Sequence, residues 1–405
     1  MANLCTRARL PDHGAATLDA APAALRADHE KRQDSEVTRE SGPVLIHTAP
    51  RPPRFSIVTP SYNQRPFIAE TIESVLSQEG SFEVEYFVMD GGSTDGSVEV
   101  IKHYAERVAA GEWPAKCRAL SLTWVSQRDR GQSDAINEGL RRTTGEFASY
   151  INSDDAYFPG AFARIAAEFA AHPDAHLIYG DGDVIDAAGQ RQWEWLSRPY
   201  DHSVMTSYHF LWNDFSNYIM QQATFWRTSV MGRIGYFDET FQYAMDVEYW
   251  VRAAHAGLML HHMPHKLGKF RLIPGTKSRS SPTVFWPDHL EIYRRYRGSR
   301  SLAPYFGYYY YNLAQQLSLD PEQARCGGRA VFDRWRALPH DEQRVITQQA
   351  ERGHALACLL LAADLHGQRR GADARASFRR AVAHSPWLAL HPFAWRYLVT
   401  RIVGR

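Results

Sequence analysis

The sequence feature that most limits the possible folds is a repeated unit, in which an apolar strand leads through a short polar turn into an amphipathic helix. The unit occurs four times between residues 54 and 171. Its strand patterns cover residues 55–59, 85–90, 120–125 and 145–151. Strands that alternate with helices at this interval predict an α/β fold with a doubly wound, mostly parallel, Rossmann-like sheet.

Each of these strands ends in a cluster of polar residues. The clusters cover residues 60–63, 90–95, 129–134 and 152–155. In a doubly wound sheet the carboxyl ends of parallel strands lie at one edge, and ligands bind in the crevice outside them. The four clusters in phase therefore predict a nucleotide-type pocket.

Two adjacent carboxylates, Asp154 and Asp155, follow the fourth strand. They repel each other and each needs water or a cation, so a divalent metal ion would explain the pair. The alternative is a solvated turn in which Asp155 or a neighbour caps the next helix. The three other polar turns favour the metal site.

The composition excludes several classes of protein. The 46 Lys and Arg residues nearly balance the 45 Asp and Glu residues, so bulk charge gives no reason to expect a nucleic-acid partner. The 4 cysteines are scattered without zinc-type spacing, and we expect no disulfide framework. The sequence shows neither a signal peptide nor a run of apolar residues that spans a bilayer. It predicts a cytoplasmic protein, either free or held peripherally at the inner face of the membrane.

The four polar turns, in this order, resemble the motifs of the family 2 glycosyltransferases, an inverting group with a GT-A fold. The motifs are TPSYN at residues 59–63, DGGSTDG at 90–96, DRGQSDAIN at 129–137 and NSDD at 152–155, and the likeness extends from residue 54 to about 280. The resemblance implies a metal-dependent transferase. Its donor would be a nucleoside diphosphate sugar and its acceptor a hydroxyl of a glycan or a lipid-linked molecule, in the synthesis of cell-surface polysaccharide or lipopolysaccharide.

The resemblance also implies a set of site residues. Asp155 would ligate Mg²⁺ or Mn²⁺ between the two donor phosphates, and Asp154 would approach the ribose or the sugar. The turns would surround the base and ribose of the donor. The donor-binding residues implied in this way are Pro60, Tyr62, Asn63, Asp90, Gly92, Ser93, Asp129, Asp134 and Asn137.

The chain departs from the family pattern at two positions. Gly91 stands where many relatives carry a second acid that is thought to read a uracil edge, and Ile273 stands where many carry a metal-binding His. Near the second position, Arg271 and Lys277 are expected to face the donor phosphates. The alternative for both is an ordinary surface cation.

The segment 243–250 resembles the acidic motif that begins a helix under the acceptor in this family. An inverting transfer needs a carboxylate that takes the proton from the acceptor hydroxyl as this oxygen attacks the sugar. Asp246 matches the position of that catalytic base. The alternative is an acid that merely stabilises the start of a helix.

The sequence predicts three regions. Residues 1–50 form a mobile leader, and residues 51–285 form the GT-A domain, with a donor half at 54–186 and an acceptor half at 187–285. Residues 286–405 are helical, with one tetratricopeptide-like hairpin at 371–386. The basic and apolar segment 395–405 suits a docking helix or a peripheral contact with an anionic membrane.

Two other functions are compatible with this fold. One is a non-catalytic protein that binds a nucleotide sugar or a glycan, and the joint presence of Asp154, Asp155 and Asp246 argues against it. The other is a sugar nucleotidyltransferase. The first strand is not followed by a glycine-rich loop with Arg and Lys, which attack on a triphosphate would require.

Overall fold

A computed structural model describes residues 51–206, 218–274, 277, 284–316, 324, 328–386 and 388. The predicted leader at 1–50 and the segment 395–405 lie outside the described residues. Four aromatic residues of the predicted acceptor half also lie outside them, and these are Tyr208, Phe210, Trp212 and Phe215.

The described strands form a single sheet in the order β3-β2-β1-β4-β8-β6-β9-β5, with β7 paired to β6. Strands β1 to β4 pair in parallel, whereas β8 runs antiparallel to both β4 and β6. The strands are β1 (Arg54–Ser61), β2 (Glu83–Asp90), β3 (Ala119–Ser126), β4 (Phe147–Tyr150), β5 (Ala156–Tyr157), β6 (Leu177–Ile185), β7 (Arg191–Trp195), β8 (Thr224–Arg227) and β9 (Leu260–Arg271).

Helices connect the parallel strands and continue after the sheet. The helices are α1 (Ile68–Leu76), α2 (Ser97–Ala109), α3 (Gln132–Leu140), α4 (Ala161–Ala171), α5 (His202–Met205), α6 (Ser229–Ile234), α7 (Met245–His255), α8 (Trp286–Arg297), α9 (Ala303–Gln316), α10 (His340–Gly367) and α11 (Gly371–His384). Within the described part of the chain, no helix is long and apolar enough to cross a membrane.

These elements confirm the predicted fold class, an α/β fold with a doubly wound sheet that is followed by helices. The parallel pairs are concentrated in β1 to β4, where the sequence shows the alternation of strand and helix. The predicted helical region at 286–405 also contains a 3-10 helix at Gly328–Trp335, in which Arg334 and Trp335 donate hydrogen bonds to Asp288 and Glu291 of α8.

Both faces of the sheet are covered, because successive side chains of a strand point to opposite sides. Phe55 and Ile57 of β1 pack with α1 and α4 on one face. Phe87 and Met89 of β2 belong to the apolar cluster on the other face, which continues through α7 to Trp286 of α8 and to α9. The C-terminal helices therefore share one core with the sheet.

Candidate active site

Hydrogen bonds join the turns after β1 and β2, because a backbone N–H of each turn donates to a side chain of the other. The Asn63 N–H donates to Ser93 Oγ at 2.7 Å, and the Thr94 N–H donates to Asn63 Oδ1 at 2.9 Å. Asn63 has a φ of 53°, in the left-handed region that Asn tolerates better than most residues. Pro60 is buried within β1, whereas Tyr62 is 63% exposed and presents its ring at the end of the strand.

Asp90 shapes the second turn from inside. Its carboxylate is buried and accepts hydrogen bonds from the Gly92 N–H at 3.1 Å, the Ser93 N–H at 2.9 Å and Ser126 Oγ at 2.7 Å. Gly92 has a φ of 84°, which a residue with a side chain rarely adopts. Because Asp90 is already saturated with internal bonds, these contacts favour a role in holding the turn over direct contact with a donor.

The carboxylate of Asp129 lies against Gly91. A Cβ atom built on Gly91 would stand 2.6 Å from Asp129 Oδ2, which is closer than such atoms approach. Asp129 Oδ1 accepts a hydrogen bond from the Gly131 N–H at 2.9 Å. The turns after β2 and β3 therefore touch, and the acid of the third turn fills the space that a side chain at position 91 would occupy.

Two predicted donor-binding residues of α3 have partners in the protein. Asp134 forms an ion pair of 2.6 Å with Arg130, and the hydrogen bond from this guanidinium holds the Asp134 pKa below its usual range. Asn137 is buried, donates to the Phe237 carbonyl at 2.9 Å and accepts from the Phe237 N–H at 3.0 Å. These contacts favour a structural role for Asn137, which ties α3 to the segment before α7.

The two acids after β4 differ in their surroundings. Asp155 is 1% exposed, and its carboxylate accepts hydrogen bonds from the Arg271 N–H at 2.7 Å, Gln222 Nε2 at 2.7 Å and Asn152 Nδ2 at 3.1 Å. Asp154 is partly exposed. Burial raises the pKa of Asp154, and burial together with the charge of Asp154 raises the pKa of Asp155 well above its usual range.

Arg271 forms hydrogen bonds with residues around Asp154 and Asp155, which we call the acid pair. Its guanidinium donates to the Asp154 carbonyl at 2.7 Å and to the Asp186 carbonyl at 2.8 Å, and it also pairs with the Glu70 carboxylate. The side chain is 1% exposed and stacks over the Phe67 ring. These contacts favour a structural role for Arg271, which fixes the turn of Asp154 and Asp155, over direct contact with the donor phosphates.

Lys277 is linked to the same turn through Gln132. Lys277 Nζ donates to Gln132 Oε1 at 3.2 Å, and Gln132 Nε2 donates to Asn152 Oδ1 at 2.6 Å. An open pocket lies here, lined by Arg130, Gly131, Gln132, Ser133, Asp134, Glu239, Phe241, Gln242 and Lys277. Unlike Arg271, Lys277 is exposed.

Asp246 lies in the first turn of α7, where its Oδ1 accepts a hydrogen bond from the Val247 N–H at 2.8 Å. Burial raises the pKa of Asp246 to about 6. Tyr150 lies at the end of β4. Its pKa is raised well above its usual range, first by burial and then by the charges of Asp246 and Asp155. Both carboxylates therefore lie near the same tyrosine.

Asp288 of α8 holds the segment that leads into α7, a role that no sequence motif indicates. The buried Asp288 Oδ2 accepts hydrogen bonds from the N–H groups of Gln242 at 2.9 Å, Tyr243 at 2.7 Å and Ala244 at 3.1 Å. Its Oδ1 accepts from Arg334 at 2.6 Å. A helix after the sheet thus fixes the start of the helix that carries Asp246.

Comparisons with known proteins find glycosyltransferases among the relatives of this chain. Residues 56–241 match the family model "Glycosyl transferase family 2". Over 210 residues, the chain is 27% identical to a PGL/p-HBAD biosynthesis glycosyltransferase of Mycobacterium bovis. This match covers 49% of this chain and 69% of that protein. Over 219 residues, it is 26% identical to the O-antigen biosynthesis protein RfbC of Myxococcus xanthus. This second match covers 54% of this chain and 16% of that protein.

Among solved structures, S. aureus TarS 1-349 in complex with UDP-GlcNAc is similar, with 17% identity and a TM-score of 0.46. The similarity covers 83% of this chain and 92% of that one. The family match includes β1 to β4 and the four polar turns, and it confirms the resemblance seen in the motifs. Residues 56–241 therefore form a glycosyl transferase family 2 domain, and the relatives support a glycosyl transfer enzyme.

Proposed function

We propose that this transferase inverts the sugar it moves, uses a divalent metal ion and takes the sugar from a nucleoside diphosphate donor to a hydroxyl of a glycan or lipid-linked acceptor. The observation that carries this proposal is that the charges of both Asp246 and Asp155 raise the pKa of Tyr150, since a base and a diphosphate site must face one substrate. The names of two relatives refer to PGL/p-HBAD and O-antigen biosynthesis, and they support cell-surface polysaccharide or lipopolysaccharide synthesis.

The acid pair fits a hard divalent cation. Two adjacent carboxylates whose pKa values are raised by burial carry an unfavourable charge that a cation would offset. Because Asp155 is enclosed by three hydrogen bonds, we propose that the more accessible Asp154 provides the nearest oxygen and that Asp155 supports it. This reverses the order expected from the motif. When bound, Mg²⁺ or Mn²⁺ would neutralise charge that develops on the leaving diphosphate.

Asp246 has the properties of the catalytic base. With a pKa of about 6, the carboxylate is mostly ionised at neutral pH yet is a better proton acceptor than an exposed Asp. It would take the acceptor hydroxyl proton on Oδ2 while Oδ1 stays bound to the Val247 N–H. The acceptor oxygen then attacks the anomeric carbon from the face opposite the diphosphate, and the configuration inverts.

The turns after β1, β2 and β3 would hold the base and ribose. Tyr62 offers an exposed ring for stacking, and Asp129 offers Oδ2 as an acceptor for a base or ribose donor group. We propose Lys277 as the cation nearest the phosphates, because Arg271 is engaged elsewhere. The division at residue 285, a cytoplasmic location and a peripheral membrane contact stay predictions.

The test begins with a panel of nucleotide sugars, scored by thermal shift with Mn²⁺ and with chelator. The donor found in this way is used for transfer and hydrolysis assays. We expect Asp246→Asn to keep donor binding and to lose about 100-fold or more in kcat. We expect Asp154→Asn to lose metal-dependent donor binding, whereas Asp174→Asn, at an exposed position, should behave as wild type. Full transfer by Asp246→Asn, or donor binding that is unaffected by chelator, would contradict the proposal.

A further inference from the structure

A second cluster of possible metal ligands lies away from the acid pair and has no part in the transfer proposed above. Glu168 lies near the end of α4, and His172 follows one turn later, with its N–H bonded to the Glu168 carbonyl at 2.9 Å. His261 is the second residue of β9 and packs beside them. We propose that Glu168, His172 and His261 form a zinc-type metal site that ties α4 to β9.

The ligand atoms already converge. His261 Nε2 lies 2.7 Å from Glu168 Oε1, and His172 Nε2 lies 3.4 Å from the same oxygen. All three ligand atoms lie within 4.8 Å of one another. In a tetrahedral zinc site with bonds of about 2.0–2.1 Å, neighbouring ligand atoms are about 3.3 Å apart. Small side-chain rotations would therefore bring the three atoms around one ion, with water as the fourth ligand.

The surroundings suit an ion better than a pair of protonated imidazoles. The two imidazole rings stack with their centroids 4.0 Å apart, so two positive rings would repel each other. Among the contacts of the described residues, the hydrogen bonds and ion pairs of both rings lead to the single Glu168 carboxylate. The three side chains are 26% to 42% exposed, which leaves an ion a path from solvent.

The ligand set also separates this cluster from the acid pair. Two imidazole nitrogens and one carboxylate oxygen suit zinc, whereas Mg²⁺ prefers oxygen ligands alone. His261 precedes Arg271 by ten residues on β9, and Arg271 is the residue that binds Asp155. The register of β9 shifts between them, and they pair with Ile178 and Ile185 of β6, so at about 3.3 Å per residue of β6 they are about 23 Å apart along the sheet. A zinc ion here would join α4 to the start of β9, away from the substrate.

The test uses the full chain, freed of metal with chelator and then titrated with zinc chloride in a calorimeter. We expect one zinc ion to bind about tenfold or more tightly to wild type than to His172→Gln or His261→Gln, and to raise the melting temperature of wild type only. His103→Gln, which alters an exposed histidine of α2, should bind zinc as wild type does. Both cluster variants should keep the Mn²⁺-dependent activity.

Equal zinc affinity in wild type and in the double variant His172→Gln with His261→Gln, or no zinc binding at all, would overturn the proposal and leave a hydrogen-bonded ion pair. If a histidine variant folds poorly, the zinc affinity of Glu168→Gln is measured instead. Cobalt bound in place of zinc should give a visible absorption band whose intensity and position change in Glu168→Gln. An unchanged cobalt spectrum would likewise overturn the assignment. Because the readout is zinc binding, its failure leaves the transferase proposal untouched.

Discussion

Replacing Asp246 by Asn should make the fold more stable while it removes transfer activity. Burial raises the pKa of Asp246 from 3.8 to about 6. This difference of about 2 pKa units corresponds to about 3 kcal/mol of unfavourable free energy at pH 7, where the carboxylate is charged in both the folded and unfolded states. Asn keeps an oxygen for the Val247 N–H and carries no charge. The gain should therefore reach at most about 3 kcal/mol, because partial exposure of the side chain screens its charge.

The sign of this effect gives a second check. As the pH falls, folded Asp246 takes up its proton near pH 6, before the unfolded chain does near pH 3.8. The wild type thus regains stability between about pH 6 and pH 4, and about half of the difference from the variant should remain at pH 5. Urea unfolding at pH 7 and pH 5 measures both values, with Asp174→Asn as the control that should show no gain. A variant that is less stable than wild type at pH 7, or a gain that is the same at both pH values, would refute the reasoning.

Three further predictions concern the same region. At saturating donor and metal, kcat should fall about tenfold from pH 7 to pH 5 as Asp246 takes up its proton, and a flat profile would contradict its role as base. Asp288→Ala should lower the free energy of unfolding by about 3 kcal/mol, since three backbone N–H groups and Arg334 lose their acceptor, and urea unfolding measures this loss. Gly91→Ala should weaken donor binding in a titration, because its Cβ displaces Asp129 Oδ2. Asp129→Ala should then show little additional loss in that background, and fully additive effects would contradict the contact.

The sequence predicts the four strand-turn-helix units well because their signals are local. The strand patterns of β1 to β4 and the polar turns after them need no knowledge of distant residues, and the rule on parallel strands places the turns at one edge. The acids at 154, 155 and 246 stand out in the sequence for a similar reason, since each lies in a short local motif, and their roles stay predictions.

The partners of the site residues could not be predicted in this way, because they come from remote segments. Gln222 bonds to Asp155 across 67 positions, and Asp288 reaches the Gln242 N–H across 46. No local pattern distinguishes such an Asp from one that simply begins a helix. The internal contacts of Arg271 could not be predicted for a related reason, since an Arg that donates to carbonyl groups has the same sequence pattern as one that faces a phosphate.

The hydrogen bonds from residues 242–244 to Asp288 have a practical consequence for truncations and domain exchanges of this enzyme. A shortened chain that stops at residue 285 would keep Asp246 but lose the carboxylate that anchors the segment in front of it, and also Arg334, which secures that carboxylate. Exchanging the C-terminal helices with those of a relative would alter the catalytic machinery as well as the periphery. The smallest portable unit should therefore be cut beyond Trp335.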